Sequence, residues 1–482
     1  MTGRPDHSEV ERSLEIEHRS IDYVPIRERH GRVRDLWAVW FTGEAHLATL
    51  AVGMVGIGLG LSFGWTVLAV LVGNAVGTFF MAFHSTQGPQ LGLPQMIQSR
   101  PQFGYRGALL IWVFALISYL GVSAFGAVLA GQSVQVLVGA PPGLSYVVYL
   151  LLALVVGVFG YNFIHKIQRW LSYLLLAGLG FFTVAIAVTG HLPALQLSLG
   201  TFRATPFLAQ FAVAAAYQLS WAIYVSDYSR YLPKDVGVRS SFWWTYTGAG
   251  IGGAWMMLIG TVAAALNVGS GLAEAVRQAG DVIFSGFGSA LLILSLLGMI
   301  SIVGLNFYGS SLTMLSIADS FRPVRPTRRN RVATLVLSAV VSGVLAFCAS
   351  GSFMAQFSNF LTFTLYLFTP WTAINLVDFY LVRRGRYSVR AIFDPHGLYG
   401  QWEWRGIGAY LVGFVAMIPF FSTGWFVGPV ASALGGADIA MFVGLPVSAA
   451  MYLWACRSLD LDSERNQIAT LDAGLDEPEL IS

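Results

Sequence analysis

Charge is scarce in this chain. Asp, Glu, Lys and Arg supply 11% of its 482 residues, against 55% hydrophobic ones, where a soluble domain carries about 25% charged residues. Cysteine is scarcer still. Cys348 and Cys456 are lone thiols on apolar segments; with no spacing for a disulfide framework or a metal site, they read as packing residues. No phosphate-cradling glycine loop, no ligand-spaced cluster of His, Cys and acids, and no nucleophile–base set is present. The sequence therefore offers no ground for an enzyme, a cofactor or a resident metal. The basic residues form no single patch interleaved with aromatics, which argues against nucleic acid as a partner. The first 34 residues hold no apolar stretch of the kind a secretory signal needs. The period-two alternation of an outer-membrane barrel is missing too.

What the chain has in abundance is long apolar runs, each long enough to cross a bilayer core at about 20 residues per helix. The spacing predicts twelve spans, near 34–62, 66–84, 106–138, 145–163, 170–190, 205–231, 241–268, 285–319, 331–352, 355–382, 405–426 and 437–456. Only Ser62-Phe63-Gly64 separates the first two. The polar ends, 1–33 and 457–482, read as solvated tails. With an even span count both tails share a side, and that side collects every Lys and Arg of the 28 except Arg203 and Arg277. The excess marks the cytoplasmic face. The expected location is therefore a plasma (inner) membrane, multi-pass, with both termini cytoplasmic and the lipid bilayer as the obligatory partner. Nothing in the sequence sets an oligomeric state.

Irregular or polar backbone at membrane depth survives only where it lines a cavity. Two spans are flawed in this way. The first carries Gly43, Glu44 and His46, then Gly53, Gly56, Gly58 and Gly60. The sixth, AAAYQLSWAIYVSDYSRYLP (214–233), has Gln218 and Ser220 at its centre and ends in Asp227 and Arg230. These spans open two comparable stretches of five, 34–190 and 205–382. Paired flaws at matching positions are the mark of an inverted-repeat transporter with its site at the midplane. Any one of these glycines alone would read as close helix packing.

Three segments carry a resemblance. GPQLGLPQMIQSRPQFGYRGA (88–108) resembles the signature loop of the purine–cytosine permeases, in the nucleobase–cation symporter-1 family. SWAIYVSDYSRYLP (220–233) resembles that family's sixth helix, and TPWTAINLVDFYLVRRGRY (369–387) the end of its tenth. The match covers about residues 30 to 455. It implies an all-α membrane protein of twelve transmembrane helices. The architecture would be a leucine-transporter-like five-plus-five inverted repeat (34–190 and 205–382) with two extra helices (405–456). It also implies import of a small nitrogenous heterocycle by cation symport, with helices 1, 2, 6 and 7 rocking against a fixed frame of 3, 4, 8 and 9.

The resemblance also implies a site. Trp221 would stack on a planar substrate ring, and Tyr119 would supply the second aromatic face. Ser123, Asn306 and His46 would read the ring's edges. Tyr119 and Ser123 depart from the tryptophan and amide of the family's hydantoin-transporting member, which suggests a different ring. A coupling cation would meet the carbonyls of Thr42, Ala45 and Leu297 and the hydroxyl of Ser301, while Ile300 replaces a second hydroxyl of the sodium-using pattern. Glu44 adds an ionisable group at that point, and such groups in a membrane usually mark function. The expectation is coupling to H+ through Glu44 or His46 in preference to Na+. The plainer alternatives are a His46 bonded to a backbone carbonyl and a Glu44 paired with an Arg or a hydroxyl.

The remaining polar residues read as structural. Asp227 and Arg230 suggest an ion pair or helix-end cap; Gln95, Ser99 and Arg100 suggest scaffold or inner gate; Asp319 and Asp378 suggest anchors. Residues 269–280 could form a short outer helix over the site. The leading function is uptake of cytosine or a purine base. The alternatives are a vitamin precursor or a ureide such as allantoin on the same fold, or, in another class, a non-transporting membrane sensor.

Overall fold

The computed structural model describes residues 22–159, 161–189, 200, 202–267, 269–322, 324, 327–349 and 353–476. Among them the regular secondary structure is all helical, apart from one isolated antiparallel bridge between Ser422 and Val427. The first span is two helices, α1 (Asp35–Gly43) and α2 (Leu47–Gly58), bent by 59° across their junction. Then come α3 (Phe63–Ser85), α4 (Leu109–Val138), α5 (Pro142–Phe159) and α6 (Tyr161–Thr189). The sixth span is α7 (Ala204–Ser220), a single turn over Trp221–Ile223, and α8 (Val225–Ser229). It is followed by α9 (Val238–Leu266), a short α10 (Leu272–Asp281), α11 (Phe287–Asp319), α12 (Arg328–Ala349) and α13 (Phe353–Val377). The last membrane helices are α14 (Trp404–Met417) and α15 (Ala440–Ala455). A final helix, α16 (Leu461–Leu471), closes the described chain.

Counting each broken helix as one, these elements give the twelve spans expected from hydropathy. Seven are long and apolar enough to cross a membrane outright, and the bent α1–α2 pair passes as one more. Two edges differ from expectation. The expected 163–170 connection is helical, because α6 starts at Tyr161; the segment contains no Gly or Pro to stop it. The eleventh span stops near Phe420, not 426: Pro419 has no N–H to continue the ladder, and the chain turns back through Ser422 and Val427. The stretch 269–280 does form a short helix, α10, with Leu272, Ala273 and Val276 buried.

The two broken spans lie at the centre. α7 packs along α3, and α9 packs along α1, α2 and α3; α11 runs beside α4, α5 and α6. The α2–α9 contact is a backbone contact. A Cβ at Gly53 would sit 1.8 Å from the Met257 carbonyl oxygen, and one at Gly260 1.9 Å from that of Leu50. Small residues are what let membrane helices approach this closely. Polar side chains tie the same group of helices. Gln210 accepts from the Gly56 amide at 2.6 Å and donates to the Val52 carbonyl at 3.0 Å. Gln218 donates to Asn74, which donates in turn to the Gly250 carbonyl.

The described parts of both ends are largely exposed, as expected of solvated tails, but are pinned to the helices by a few buried residues that the sequence did not flag; residues 1–21 and 477–482 lie outside the described residues. Val24 and Arg29 are buried, and Arg29 donates to the carbonyls of Val24 and Pro89. On α16, Glu464 is buried and accepts from Arg383 at 2.7 Å. Arg383 also donates to Asp378 at 2.7 Å, and Asp378 further accepts from Gln102, Tyr387 and Tyr452. Asp378 is thus the hub of a buried network, more than an anchor. Asp319 caps the chain after α11 by accepting from the Val324 amide. Cys456 is buried as expected, but Cys348 is exposed on the outward face of α12, so it does not pack the interior.

Candidate substrate and coupling site

The junction of α1 and α2 builds the first wall. α1 ends as the Glu44 and Ala45 amides turn back on the Thr42 carbonyl; the His46 amide bonds the Glu44 carbonyl at 2.8 Å. His46 is extended (φ −156°, ψ 166°) and opens α2. This leaves three residues, Glu44 to His46, without a regular helical ladder. The second wall is the matching break in α7–α8, where Tyr224 (φ −142°, ψ 11°) separates the turn at Trp221 from α8.

Between the breaks and helices α4 and α11 lies a cavity of about 20 Å³, room for one water. It is lined by His46, Tyr119, Trp221, Tyr224 and Asn306, with Tyr217, Ser118 and Ile302. Trp221 is held from behind by Trp40, edge-on at 5.9 Å, and lies against Gly43, where a Cβ would come 3.9 Å from its ring. Tyr119 lies against Gly309, where a Cβ would clash with its ring at 2.8 Å. Two buried polar atoms of the cavity residues lack a hydrogen-bond partner among the described residues: Asn306 Nδ2 and His46 Nδ1. Unpaired buried polar atoms are costly, and here both belong to residues that line the space a ligand would fill. Nδ2 is a donor; Nδ1 is a donor or an acceptor according to tautomer. The other imidazole nitrogen is engaged: Tyr217 OH sits 3.1 Å from Nε2 and 2.6 Å from Thr49 Oγ1.

Of the expected substrate residues, the structure brings together His46, Tyr119, Trp221 and Asn306. It does not bring Ser123, whose hydroxyl donates to the Tyr119 carbonyl one turn back at 2.8 Å, outside the cavity lining. Ser118 takes a place there instead. Tyr217 and Tyr224 were not anticipated. Their signal was in the sequence: Tyr217, Trp221, Tyr224 and Tyr228 recur every three or four residues, the spacing of one helix face.

The cation residues are less uniformly placed. The Ala45 carbonyl oxygen faces α11, 3.6 Å from where a Cβ on Gly298 would stand, and Ser301 is buried on the same helix. The Thr42 carbonyl already accepts from two amides, which leaves it little capacity for an ion here. The Leu297 side chain is 42% exposed, so only its backbone could serve. Glu44 lies just off the cavity. It is 1% exposed, and neither carboxyl oxygen has a hydrogen-bond partner among the described residues. Its polar neighbours are Gln218 and Thr49. Of the plainer alternative for Glu44, no Arg pairs with it among the described residues, while the Thr49 hydroxyl stands beside it.

The signature loop is scaffold. The Gln95 amide donates to Asp227 at 2.8 Å, Ser99 accepts from the Trp371 indole, and Arg100 is buried over the Tyr105 ring, its guanidinium bonded to the Ile392 carbonyl. Arg230 is likewise buried, donating to Tyr231.

Residues 23–444 match the family described as permease for cytosine/purines, uracil, thiamine, allantoin. A putative purine-cytosine permease of Bacillus subtilis is 37% identical over 443 residues, 91% of this chain and 95% of that one. The purine-cytosine permease fcyB of Emericella nidulans is 25% identical over 94% of this chain and 91% of its own. Among solved structures, Mhp1, a nucleobase-cation-symport-1 family transporter in a closed conformation with bromovinylhydantoin bound, superposes with a TM-score of 0.73. It shares 18% identity, over 95% of this chain and 100% of that one. The fold is therefore the leucine-transporter-like one that the family resemblance implied. The members of this family are membrane transporters and not enzymes, and the chain belongs to it: it is a purine–cytosine permease-like member of the nucleobase–cation symporter-1 family.

Proposed function

We propose that this protein imports a nucleobase, cytosine or a purine, across the plasma (inner) membrane by cation symport with H+ favoured over Na+. The cavity at the two helix breaks carries the reading. A heterocycle stacks on Trp221 and Tyr119, a contact worth about 1–3 kcal/mol per ring. Asn306 Nδ2 donates to a ring acceptor, and His46 Nδ1 reads a second edge position. Glu44 takes up the coupling proton; a buried ionisable group on a broken membrane helix, with no cation paired to it among the described residues, supports that role. A residual Na+ position near the Ala45 carbonyl and Ser301 is the competing arrangement, weakened by Ile300 and by the engaged Thr42 carbonyl.

In this reading residues 34–190 and 205–382 are the inverted repeats, 405–456 the two added helices, and α1–α3, α7 and α9 rock against α4, α5, α11 and α12. α10 lies over the outer end. Both termini are cytoplasmic, on the strength of the Lys and Arg distribution. A cysteine at position 277 labelled in intact cells by an impermeant reagent is the expected result; labelling only after lysis would invert the topology.

Uptake of labelled cytosine into proteoliposomes tests the function. Accumulation under a proton gradient alone, competed by hypoxanthine or adenine, is the expected outcome. Accumulation only under a sodium gradient would move coupling to Ala45 and Ser301. Competition by thiamine-type pyrimidines or allantoin alone would place the substrate elsewhere in the range that the family's description covers. Tight binding without accumulation would support the sensor reading.

A further inference from the structure

The cavity at Trp221 is not the only space beside Tyr119. A second, of about 30 Å³, lies one turn further along both α11 and the α7–α8 segment, lined by Asp227, Tyr228, Tyr308 and Gly309. Three residues face both spaces: Tyr119, Tyr224 and Asn306. Tyr119 and Tyr224 are stacked, with ring centroids 5.6 Å apart and planes 26° from parallel. They form the partition between the cavities. Trp221 stands edge-on to Tyr224 at 5.6 Å.

This arrangement has a consequence for any planar ligand. One face of Tyr119 is already covered by an aromatic ring, and the space remaining holds about one water. A heterocycle that stacks on Tyr119 must take the place of Tyr224. The unpartnered Asn306 Nδ2 belongs to a residue on both sides of the partition, so a donor stands beside the place that would be vacated. Tyr224 is suited to leave: it sits at the single non-helical residue between the Trp221 turn and α8, where a change in one residue's torsions moves the ring without unwinding a helix.

We propose that Tyr224 is an affinity-setting residue, an internal competitor that stacks on Tyr119 and must be displaced by the substrate ring. The inference rests on the substrate site proposed above. It assigns to Tyr224 a weakening of every ligand's affinity by the value of one aromatic pair, the same for each ring that stacks there.

The test is equilibrium binding of labelled cytosine and labelled hypoxanthine to the purified full chain in detergent, in wild type, Tyr224→Ala, Tyr224→Phe and Trp221→Ala. Tyr224→Ala should tighten binding of both probes by about 2- to 10-fold, the range of one aromatic pair. Tyr224→Phe, which keeps the ring, should stay within twofold of wild type. Weaker or unchanged binding in Tyr224→Ala, with a folded monodisperse protein, would overturn the proposal. Trp221→Ala separates the two readings. If it leaves binding of both probes intact, the substrate site itself is misplaced. If it abolishes binding while Tyr224→Ala fails to tighten it, the site stands and the competitor role falls.

Discussion

At Ser123 the helix competes for the hydroxyl and wins. A serine inside α4 can bond the carbonyl one turn back, and it does so at 2.8 Å; nothing in the letters ISYLGVSAFG distinguishes that from a serine turned to a ligand. Asn306 could not hide in this way, because a buried primary amide needs more partners than one backbone carbonyl provides. The two residues therefore make opposite predictions. Ser123→Ala should leave cytosine affinity within twofold of wild type, whereas Asn306→Ala should weaken it by about fivefold, close to one neutral hydrogen bond of ~1 kcal/mol. Equilibrium binding on the same preparation checks both. Trp221, His46 and Asn306 were legible because they sit inside unusual residue combinations. Tyr217 and Tyr224 were hidden in plain view, in an aromatic stripe that reads as core until the backbone break turns it toward a cavity.

The helices themselves were legible wherever an apolar run ended in charge, and misread where an end depends on a single backbone donor. Pro419 is one such end; the start of α6 is the reverse case, where polar helix-formers extend an element beyond its apolar part. The α2–α9 pair shows what hydropathy does not report. Its glycines scored only as apolar filler, yet Gly53 and Gly260 each face a partner's backbone oxygen at under 2 Å from a notional Cβ. Gly53→Val should therefore prevent α2 from docking, with loss of monodisperse protein on expression. Gly58→Ala, on the same helix with open space around it, should express and transport as wild type. Size-exclusion chromatography of the two variants separates a packing role from mere helix propensity, which would penalise neither.

Across the whole molecule, the twelve-span order and the charge asymmetry were in the sequence, while the buried residues that pin the ends were not. A sequence such as LDLDSERNQIATL looks solvated because its one buried acid, Glu464, has its partner, Arg383, 81 residues away. That pairing joins α16 to the end of the tenth span and to the signature loop through Asp378 and Gln102. Breaking it from the cationic side leaves two buried carboxylates uncompensated. Arg383→Ala should cost about 3–5 kcal/mol, read as a large drop in Tm in detergent. Arg383→Lys should recover only part of it, since one ammonium cannot reproduce the guanidinium's two directed bonds.

Glu44 is a buried carboxyl group beside only neutral polar side chains, Gln218 and Thr49. Every other buried carboxylate among the described residues has partners: Asp378 and Glu464 share Arg383, and Asp438 is bonded to Tyr366 and to the amides of Ser422 and Ala440. A carrier that loads one proton on one such group moves one net charge per cycle with a neutral base. Membrane voltage then contributes about 2.3 kcal/mol per 100 mV, which limits voltage-driven concentration of substrate to about 50-fold at that potential. Glu44→Gln should bring this ratio to unity while exchange of labelled for unlabelled base continues. A steady-state ratio well above 50 at 100 mV, with no pH gradient, would require a second charge.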